Sequence, residues 1–354
     1  MSLMDKLKSG STIKDSAPIS ESAVFTVADM SPTRVPMLNV ALGATFNSGV
    51  MPGLHMLAGP SKHFKSAFAL LMAGAHMKAN PNSILLFYDS EFGTPQDYFD
   101  SFDIPMDRVF HVPVTDIEDL KQDMAKQLKE NLDRKDEVII IVDSIGNLAS
   151  RKEVDDAVDG KTVADMTRAK QMKSLFRIVT PHLRLKNIPM IVINHTYKEI
   201  GLYPKDIVSG GTGAYYSSDA IWIIGRQQQK EGTEVAGWNF IINVEKSRHV
   251  REKSKIPIRV MYDGGIAKWS GMFEIAEALG YVRKPKVGWY EVIDPDTGEV
   301  LSTKLMRKAE LESSDEMWTK LMDSTEFPAK VTQHYKIGGK SLFSDDQMFL
   351  TEGE

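Results

Sequence analysis

The chain has 354 residues and no cysteine, which excludes disulfide bridges and thiolate metal sites and suits a reducing compartment. It has no surplus of positive charge: 43 Lys and Arg stand against 48 Asp and Glu, a net charge of −5. Any contact with nucleic acid must therefore come from a local patch rather than a global basic footprint. No uninterrupted apolar run approaches the roughly 18 residues that a membrane span needs, and the first residues form no apolar signal segment. The expectation is a soluble intracellular chain with no membrane partner. What is present is ordinary globular content, 42% hydrophobic and 26% charged, at a length that suits one core of about two hundred residues plus something smaller.

One stretch organises the rest. Ala58-Gly59-Pro60-Ser61-Lys62-His63-Phe64-Lys65-Ser66-Ala67 follows the apolar run Leu54 to Leu57 and opens a helical run from Ala67 to Met77. A strand that turns through a small-residue loop into a helix beginning Lys-Ser is the P-loop arrangement, in which backbone N–H groups and a helix N-terminus hold phosphates. Lys65 would reach the outer phosphates, and the Ser66 hydroxyl would ligate Mg²⁺. The pattern G-x-x-x-x-G-K-[ST] is broken once, at Phe64. A side chain there requires a negative φ or a slightly rewound loop. The competing reading is a plain loop-to-helix junction with a chance Lys-Ser.

Residues 1–22 are rich in Ser, Lys and Asp and read as a mobile arm or a short, weak helix. Ala23 to Ala28 is a β-prone run that Ser31-Pro32 ends; it would join a local hairpin or the sheet edge of a neighbouring subunit. From 35 to 266 strand and helix patterns alternate. Ile84 to Tyr88, Val109 to Val112, Val138 to Val142, Ile188 to Ile193, Ala220 to Ile224 and Trp238 to Val244 are β-branched or aromatic runs, several too apolar to have a wet face. Thr115-x-x-Glu118 predicts a capping box for a helix carrying Ile117, Leu120, Met124 and Leu128, and Met172, Leu175, Phe176, Val179 and Leu183 repeat the helical spacing. This is an α/β pattern, with the ligand site expected at the carboxyl ends of the strands. After Gly264-Gly265 the character changes. A short helix, Phe273 to Leu279, stops at Gly280, and Asp294-Pro295-Asp296-Thr297-Gly298 predicts a hairpin turn. The expected organisation is an arm over 1–34, a core over 35–266, a small α+β domain over 267–338 and a loose acidic tail over 339–354.

Three strand ends carry polar groups. Asp143 closes the buried run Val138 to Val142 and would hold Mg²⁺ through its water shell; otherwise it caps the next turn. Glu91 lies just past the strand ending Tyr88-Asp89 and is placed to orient an attacking water; otherwise it is a surface or helix-N-terminal glutamate. His195 follows Ile191 to Asn194 and could donate a hydrogen bond to a γ-phosphate, although a solvated loop histidine is the simpler reading. The connection from Tyr197 to Gly213 is long for a compact domain and holds Lys198, Tyr203, Lys205, Gly210 and Gly211. Glycine with aromatic and basic residues suits single-stranded nucleic acid, where bases stack and phosphates pair with cations. A second connection, Ser150 to Val163, precedes Arg168, Lys170 and Lys173 on the next helix, and its mixed charges also fit a solvated face.

In order, Gly-Pro-Ser-Lys-His-Phe-Lys-Ser, Phe-Tyr-Asp-Ser-Glu-Phe-Gly, Val-Asp-Ser-Ile-Gly-Asn-Leu-Ala-Ser, the run from Met166 to Pro181, Ile-Asn-His-Thr-Tyr and Val-Glu-Lys-Ser-Arg resemble the RecA family of strand-exchange recombinases, and within it the UvsX-type recombinases of tailed phages. The likeness spans about Val35 to Tyr290. It implies a RecA-type ATPase core with a central, mostly parallel sheet. It also implies that Lys65, Ser66 and Asp143 bind phosphate and Mg²⁺, that Glu91 is the catalytic base, that Tyr98 stacks on adenine and that His195 senses the γ-phosphate. Lys246 and Arg248 match paired cations that reach the ATP of the adjacent protomer; two residues apart on a strand, they would face one side. The two connections match the family's DNA-binding loops, with Arg168 at a DNA-contacting helical position. Phe25-x-x-Ala28 resembles a short polymerisation motif. The resemblance implies a DNA-dependent ATPase that forms helical filaments on single-stranded DNA and exchanges strands with a homologous duplex in the host-cell cytoplasm, assisted by a loading mediator and a single-strand-binding protein. A hexameric helicase of the same fold, or a mediator that binds ATP without turnover, are the alternatives.

Overall fold

The computed structural model describes residues 2–13, 16–22, 24, 30–161, 166–199 and 206–338. Phe25 and Ala28 of the expected N-terminal strand, Lys205, and the acidic tail from 339 onward lie outside the described residues.

Helix α1 (Leu3–Gly10) is capped by Ser2, whose hydroxyl accepts from Asp5 N while the Asp5 carboxylate accepts from Ser2 N. Helix α2 (Pro36–Gly43) begins at a proline and is buried along seven of its eight residues. Strand and helix then alternate: β1 (Gly53–Ala58), α3 (Lys65–Ala79), β2 (Ile84–Asp89), α4 (Gln96–Ser101), β3 (Val109–Pro113), α5 (Ile117–Lys126), β4 (Val138–Asp143), α6 (Arg151–Val158), α7 (Thr167–Leu185) and β5 (Pro189–Asn194). Two short strands, β6 (Thr196–Lys198) and β7 (Asp206–Val208), and helix α8 (Thr212–Ser217) lead into β8 (Ala220–Glu231), β9 (Glu234–Lys246), β10 (Lys255–Met261) and β11 (Gly265–Ile266).

Among the described residues these strands build a nine-stranded sheet ordered β11-β10-β9-β8-β1-β5-β4-β2-β3. Pairing is parallel from β3 to β8 and antiparallel from β8 to β11. Every residue of β1, β4 and β5 is buried, because helices cover both faces. Alternate residues go to opposite cores. Leu57, Ile139, Ile141, Ile191 and Ile193 pack with α2 and α3, whereas Met56, Ile140, Val142, Met190 and Val192 pack with α5 and α7. Met172, Leu175, Phe176, Val179 and Leu183 form the buried stripe of α7, each contributing about 2 kcal/mol of apolar transfer.

The cap of α5 differs from the expected box. Asp116, not Thr115, is the N-cap and accepts from Asp119 N at 2.8 Å, while Glu118 accepts from Arg151 N at 3.1 Å instead of folding back. Aspartate one residue nearer the helix reaches the free N–H groups better.

After the sheet come α9 (Met272–Ala278), the hairpin strands β12 (Val282–Lys286) and β13 (Trp289–Val292), and α10 (Lys308–Glu312), α11 (Asp315–Asp323) and α12 (Glu326–Tyr335). Gly280 at φ 84° stops α9. The expected turn at 294–298 closes with Asp294 N donating to Glu299 O at 2.8 Å, but the return is not a continuous strand: it pairs through isolated bridges, Val300 with Ile293 and Met306 with Tyr290. Trp318, Leu321, Phe327 and Val331 are fully buried in the same cluster as α2 and α3, and Arg259 on β10 meets Glu312 through two 2.7 Å bonds. No described helix is long and apolar enough to cross a membrane.

Candidate functional site

The carboxyl ends of β1, β2, β4 and β5 lie along one edge of the sheet, with Ala58 beside Asn194 and Asp89 beside Asp143. Beyond them is a cavity of about 450 Å³ lined by Ser61 to Ala67, Glu91, Tyr98, Asp143 and His195, among others.

The loop from Gly59 to Phe64 enters helix α3. A Cβ on Gly59 would sit 2.8 Å from the Ile224 carbonyl oxygen, so strand β8 passes too close for a side chain. Of the two expectations for Phe64, a negative φ or a slightly rewound loop, the first is not met: it is left-handed, at φ 60° and ψ 18°. The ring compensates. It stacks on Phe240 at 5.0 Å and meets Phe68 edge-on at 5.3 Å. Lys65 is buried at the first turn of α3, its Nζ donating to Pro60 O at 2.8 Å. Burial holds the Lys65 ammonium below its ordinary pKa, and the carboxylates of Glu91 and Asp143 oppose that.

Asp143 is 3% exposed, and its Oδ1 has no hydrogen-bond partner. Burial pushes its carboxyl up to about 6; the Ser66 hydroxyl bond lowers it, while Glu91 and Asp89 raise it. A buried carboxylate oxygen without a partner, beside a hydroxyl at a helix N-terminus, fits a hard divalent cation held by few protein groups. Glu91 is placed by Asp89, whose Oδ1 accepts from Glu91 N at 3.0 Å and Phe92 N at 2.8 Å. Three groups then converge on Glu91 Oε1: Ser144 Oγ at 2.7 Å, Asn147 Nδ2 at 3.1 Å and His195 Nε2 at 3.2 Å. The His195 bond, and after it the Ser144 bond, hold the Glu91 carboxyl below its ordinary value against the effect of burial. Gly146 makes room for this: a Cβ there would lie 2.3 Å from His195 Cδ2.

Tyr98 lines one side of the cavity from α4. The other side was not anticipated. Arg226 lies 4.4 Å above the Trp238 ring and donates to Lys62 O at 3.2 Å, and Trp238 Nε1 donates to Tyr262 Oη at 2.9 Å. Nor were Ser144, Gly146 and Asn147 anticipated, although Ser144 adjoins Asp143 in sequence.

Lys246 and Arg248 line no part of this cavity. Lys246 ends β9 and donates to the carbonyls of Tyr215 at 2.8 Å and Tyr216 at 3.2 Å. Arg248 lies past the end of β9, so strand periodicity does not align it with Lys246. Its Nε donates to Asp219 Oδ1 at 2.6 Å, an oxygen shared with Arg184 at 2.7 Å. The connection after Tyr197 is not irregular throughout, because β6 and β7 pair across it, with Lys198 bonded to Asp206 at 2.9 Å. Gly210 at φ 91° and Gly211 at φ 76° need the left-handed region, and a Cβ on Gly210 would also strike Met172 Sδ. The other connection contains α6, which presents Val154 and Val158 outward. Arg168, expected on DNA, turns its guanidinium inward, to the carbonyls of Leu148 at 2.6 Å, Gly146 at 2.8 Å and Ile145 at 3.0 Å.

Two family profiles match the chain: "RecA N-terminal domain" over residues 19–267, and "Bacteriophage T4, Recombination and repair protein, C-terminal domain" over residues 269–331. The "Recombination and repair protein" of Enterobacteria phage T4 is 44% identical over 95% of this chain and 86% of its own length. "Protein RecA" of Bacteroides thetaiotaomicron is 25% identical over 77% of this chain and 80% of its own. That of Rhodococcus opacus is 25% identical over 79% of each.

Proposed function

This chain belongs to the RecA family of strand-exchange recombinases, in its phage branch, and from that premise we propose that it is a single-stranded-DNA-dependent ATPase. It assembles head to tail into a helical filament on single-stranded DNA, pairs that strand with a homologous duplex and exchanges strands in recombination, repair and recombination-dependent replication. One observation carries the ATPase reading: groups from four strand ends face one cavity in which the buried Asp143 Oδ1 has no partner.

In this reading the backbone N–H groups of the P-loop and the first turn of α3 bind the phosphates, and the Lys65 ammonium pairs with the outer ones. Ser66 and Asp143 hold Mg²⁺, which when bound neutralises charge on those phosphates. Glu91 orients the attacking water and takes its proton, and His195 donates to the γ-phosphate. Tyr98 stacks on adenine, with Trp238 and Tyr262 closing the opposite side. Lys246 and Arg248 serve the ATP of the adjacent protomer. Lys198, Lys205, Gly210 and Gly211, with the 150–163 connection, follow the DNA backbone, while base pairing supplies the homology test. Residues 1–34, with Phe25 and Ala28, form the polymerisation arm, and 267–338 a small C-terminal domain. A loading mediator and a single-strand-binding protein are its partners in the host-cell cytoplasm.

Electron microscopy of the protein on single-stranded DNA with ATP, beside a strand-exchange assay with a homologous duplex, tests the proposal. Helical filaments with joint molecules are expected. Closed rings would turn the reading toward a helicase, and DNA binding without ATP turnover toward a mediator.

A further inference from the structure

The sequence position of Arg168, second in α7 and just after the 150–163 connection, suggests a phosphate contact, but its guanidinium is already engaged. Nε and one terminal nitrogen reach three main-chain carbonyls of a single turn, those of Ile145, Gly146 and Leu148. The planar arginine fork meets these three acceptors from two nitrogens held in a fixed geometry, whereas a lysine's three N–H groups all sit on one nitrogen and cannot span the same positions. The clamped turn is the one that follows Asp143. Ile145 N donates to Ile193 O at 2.9 Å, tying the turn to β5, and the side chains of Ile145 and Leu148 are buried. Between them stand the two residues with business at the site: Asn147, whose amide reaches Glu91 Oε1 at 3.1 Å, and Gly146, against which the His195 ring lies.

We infer that Arg168 is a positioning residue of the hydrolytic site: by clamping the 145–148 turn it holds Asn147 on Glu91 and sets the floor under His195. The inference rests on the reading of Glu91 as the group that orients water. A turn released from the clamp leaves the P-loop and Tyr98 untouched. It therefore weakens turnover and not nucleotide capture, and it leaves the number of DNA phosphate contacts unchanged.

The test is the kinetics of Arg168→Lys and Arg168→Ala in the full-length protein at saturating single-stranded DNA, with Glu91→Gln and Asn147→Ala in parallel. Misplacing a catalytic group by about an ångström can lower turnover by about a hundredfold, and losing the residue that orients a functional side chain commonly costs about tenfold to a hundredfold. Both Arg168 variants are expected to show that loss in kcat, with KM for ATP and the salt slope of DNA affinity unchanged. In Arg168→Lys/Asn147→Ala the two losses should not multiply, because the second change removes what the first misplaces. The acid limb of the pH profile should also move upward, as Glu91 loses donors to its charged form. If Arg168→Lys keeps full kcat while Arg168→Ala loses DNA affinity and reduces the salt slope by about one, Arg168 is a DNA contact and the inference fails. Losses in kcat that multiply with Asn147→Ala, or a KM that rises with them, mark a general structural role and also overturn it. Should Arg168→Ala not fold, Arg168→Lys and the cycle with Asn147 still decide. Near wild-type turnover in Glu91→Gln would instead sink the reading of the site, independently of Arg168.

Discussion

Glu91 Oε1 and His195 Nε2 meet at 3.2 Å across the end of β4, although the strands that carry them, β2 and β5, are not neighbours in the sheet. The intervening strand supplies Ser144, whose hydroxyl donates to the same Glu91 oxygen at 2.7 Å. Three strand ends are thereby tied through one carboxylate oxygen, and a change at any of them is felt at the group assigned to water. Because Glu91's carboxyl is depressed by these donors, it stays ionised throughout the neutral range. The stability it contributes is present above its unfolded value and lost as pH falls through the depressed one.

Gly146→Ala tests how tightly that arrangement is packed. Gly146 does not have a positive φ, so alanine meets no backbone strain; its Cβ meets chiefly the His195 ring, at 2.3 Å, and less closely Asn194 Oδ1, at 3.3 Å. The expected result is a kcat lower by about tenfold or more, with nucleotide affinity retained. In a His195→Ala background the same substitution should cost little further. An equal loss in both backgrounds would mean that Gly146 acts elsewhere.

The alternation of strand and helix was legible because the strands are apolar on both faces and the helices on one. The expected runs at 84–88, 138–142 and 188–193 lie within one residue of β2, β4 and β5 at each end. The antiparallel extension was less so. β8 continues to Glu231 through Arg226-Gln227-Gln228-Gln229, residues with no hydrophobic alternation, held in the sheet by pairing with β9. Motif spacing located Lys65, Ser66, Glu91, Asp143 and His195, which share the cavity. It could not reveal Asn147 and Gly146, whose relevance comes from the return of a turn beneath another strand's histidine. Nor could a helical position say that Arg168 points at its own chain rather than outward. That depends on where three carbonyls lie, which no periodicity encodes.

Asp143 makes the empty protein pH-sensitive in a defined direction. Its carboxyl is raised from the ordinary 3.8 to about 6, mainly by burial. The fold thus favours the protonated form: stability is highest below pH 3.8, where the carboxyl is protonated folded and unfolded alike, and is lost as pH rises through about 6, which leaves the protein at neutral pH at most roughly 3 kcal/mol less stable than with an ordinary aspartate. Without ligand, Asp143→Asn should be more stable than wild type at pH 7.5 in urea unfolding, with the gap closing between pH 6 and 4 as the wild-type carboxyl is protonated. Mg²⁺ with a non-hydrolysable ATP analogue should reverse the order. If the variant is less stable at pH 7.5 without ligand, the buried oxygen has a partner and the metal assignment loses its support.

Phe64 sets ring packing against backbone conformation. Removing the ring contacts with Phe240 and Phe68 by Phe64→Ala should cost about 2 kcal/mol, since alanine inherits the left-handed φ of 60°. Phe64→Gly loses the same contacts but recovers about 1 kcal/mol of that strain. The order of stability in urea is therefore expected to be Phe, then Gly, then Ala, the reverse of the Ala and Gly ranking inside a helix. Alanine equal to or above glycine would show that the loop relaxes out of the left-handed region when the ring is gone.

The sharing of one ATP site between protomers is tested by mixing two defective proteins. Lys65→Ala leaves a dead P-loop but still presents Lys246 and Arg248 to its neighbour. The opposite defect is best made with Lys246→Gln, because glutamine can still donate to the carbonyls of Tyr215 and Tyr216 that Lys246 caps. Replacing Arg248 would instead deprive the buried Asp219 of a partner and confound folding with function. Each variant alone should be nearly inactive, since loss of one charge-stabilising donor typically removes about 3 kcal/mol from the transition state. Mixed on single-stranded DNA, some interfaces unite an intact P-loop with an intact trans lysine, so ATP hydrolysis should reappear and peak at intermediate ratios. Neither lysine can rescue the other within one chain, because Lys246 lines no part of its own cavity. If the two proteins co-assemble on the same DNA and no mixture exceeds the sum of its parts, Lys246 acts in cis or not at all, and a filament bridged head to tail by ATP is excluded.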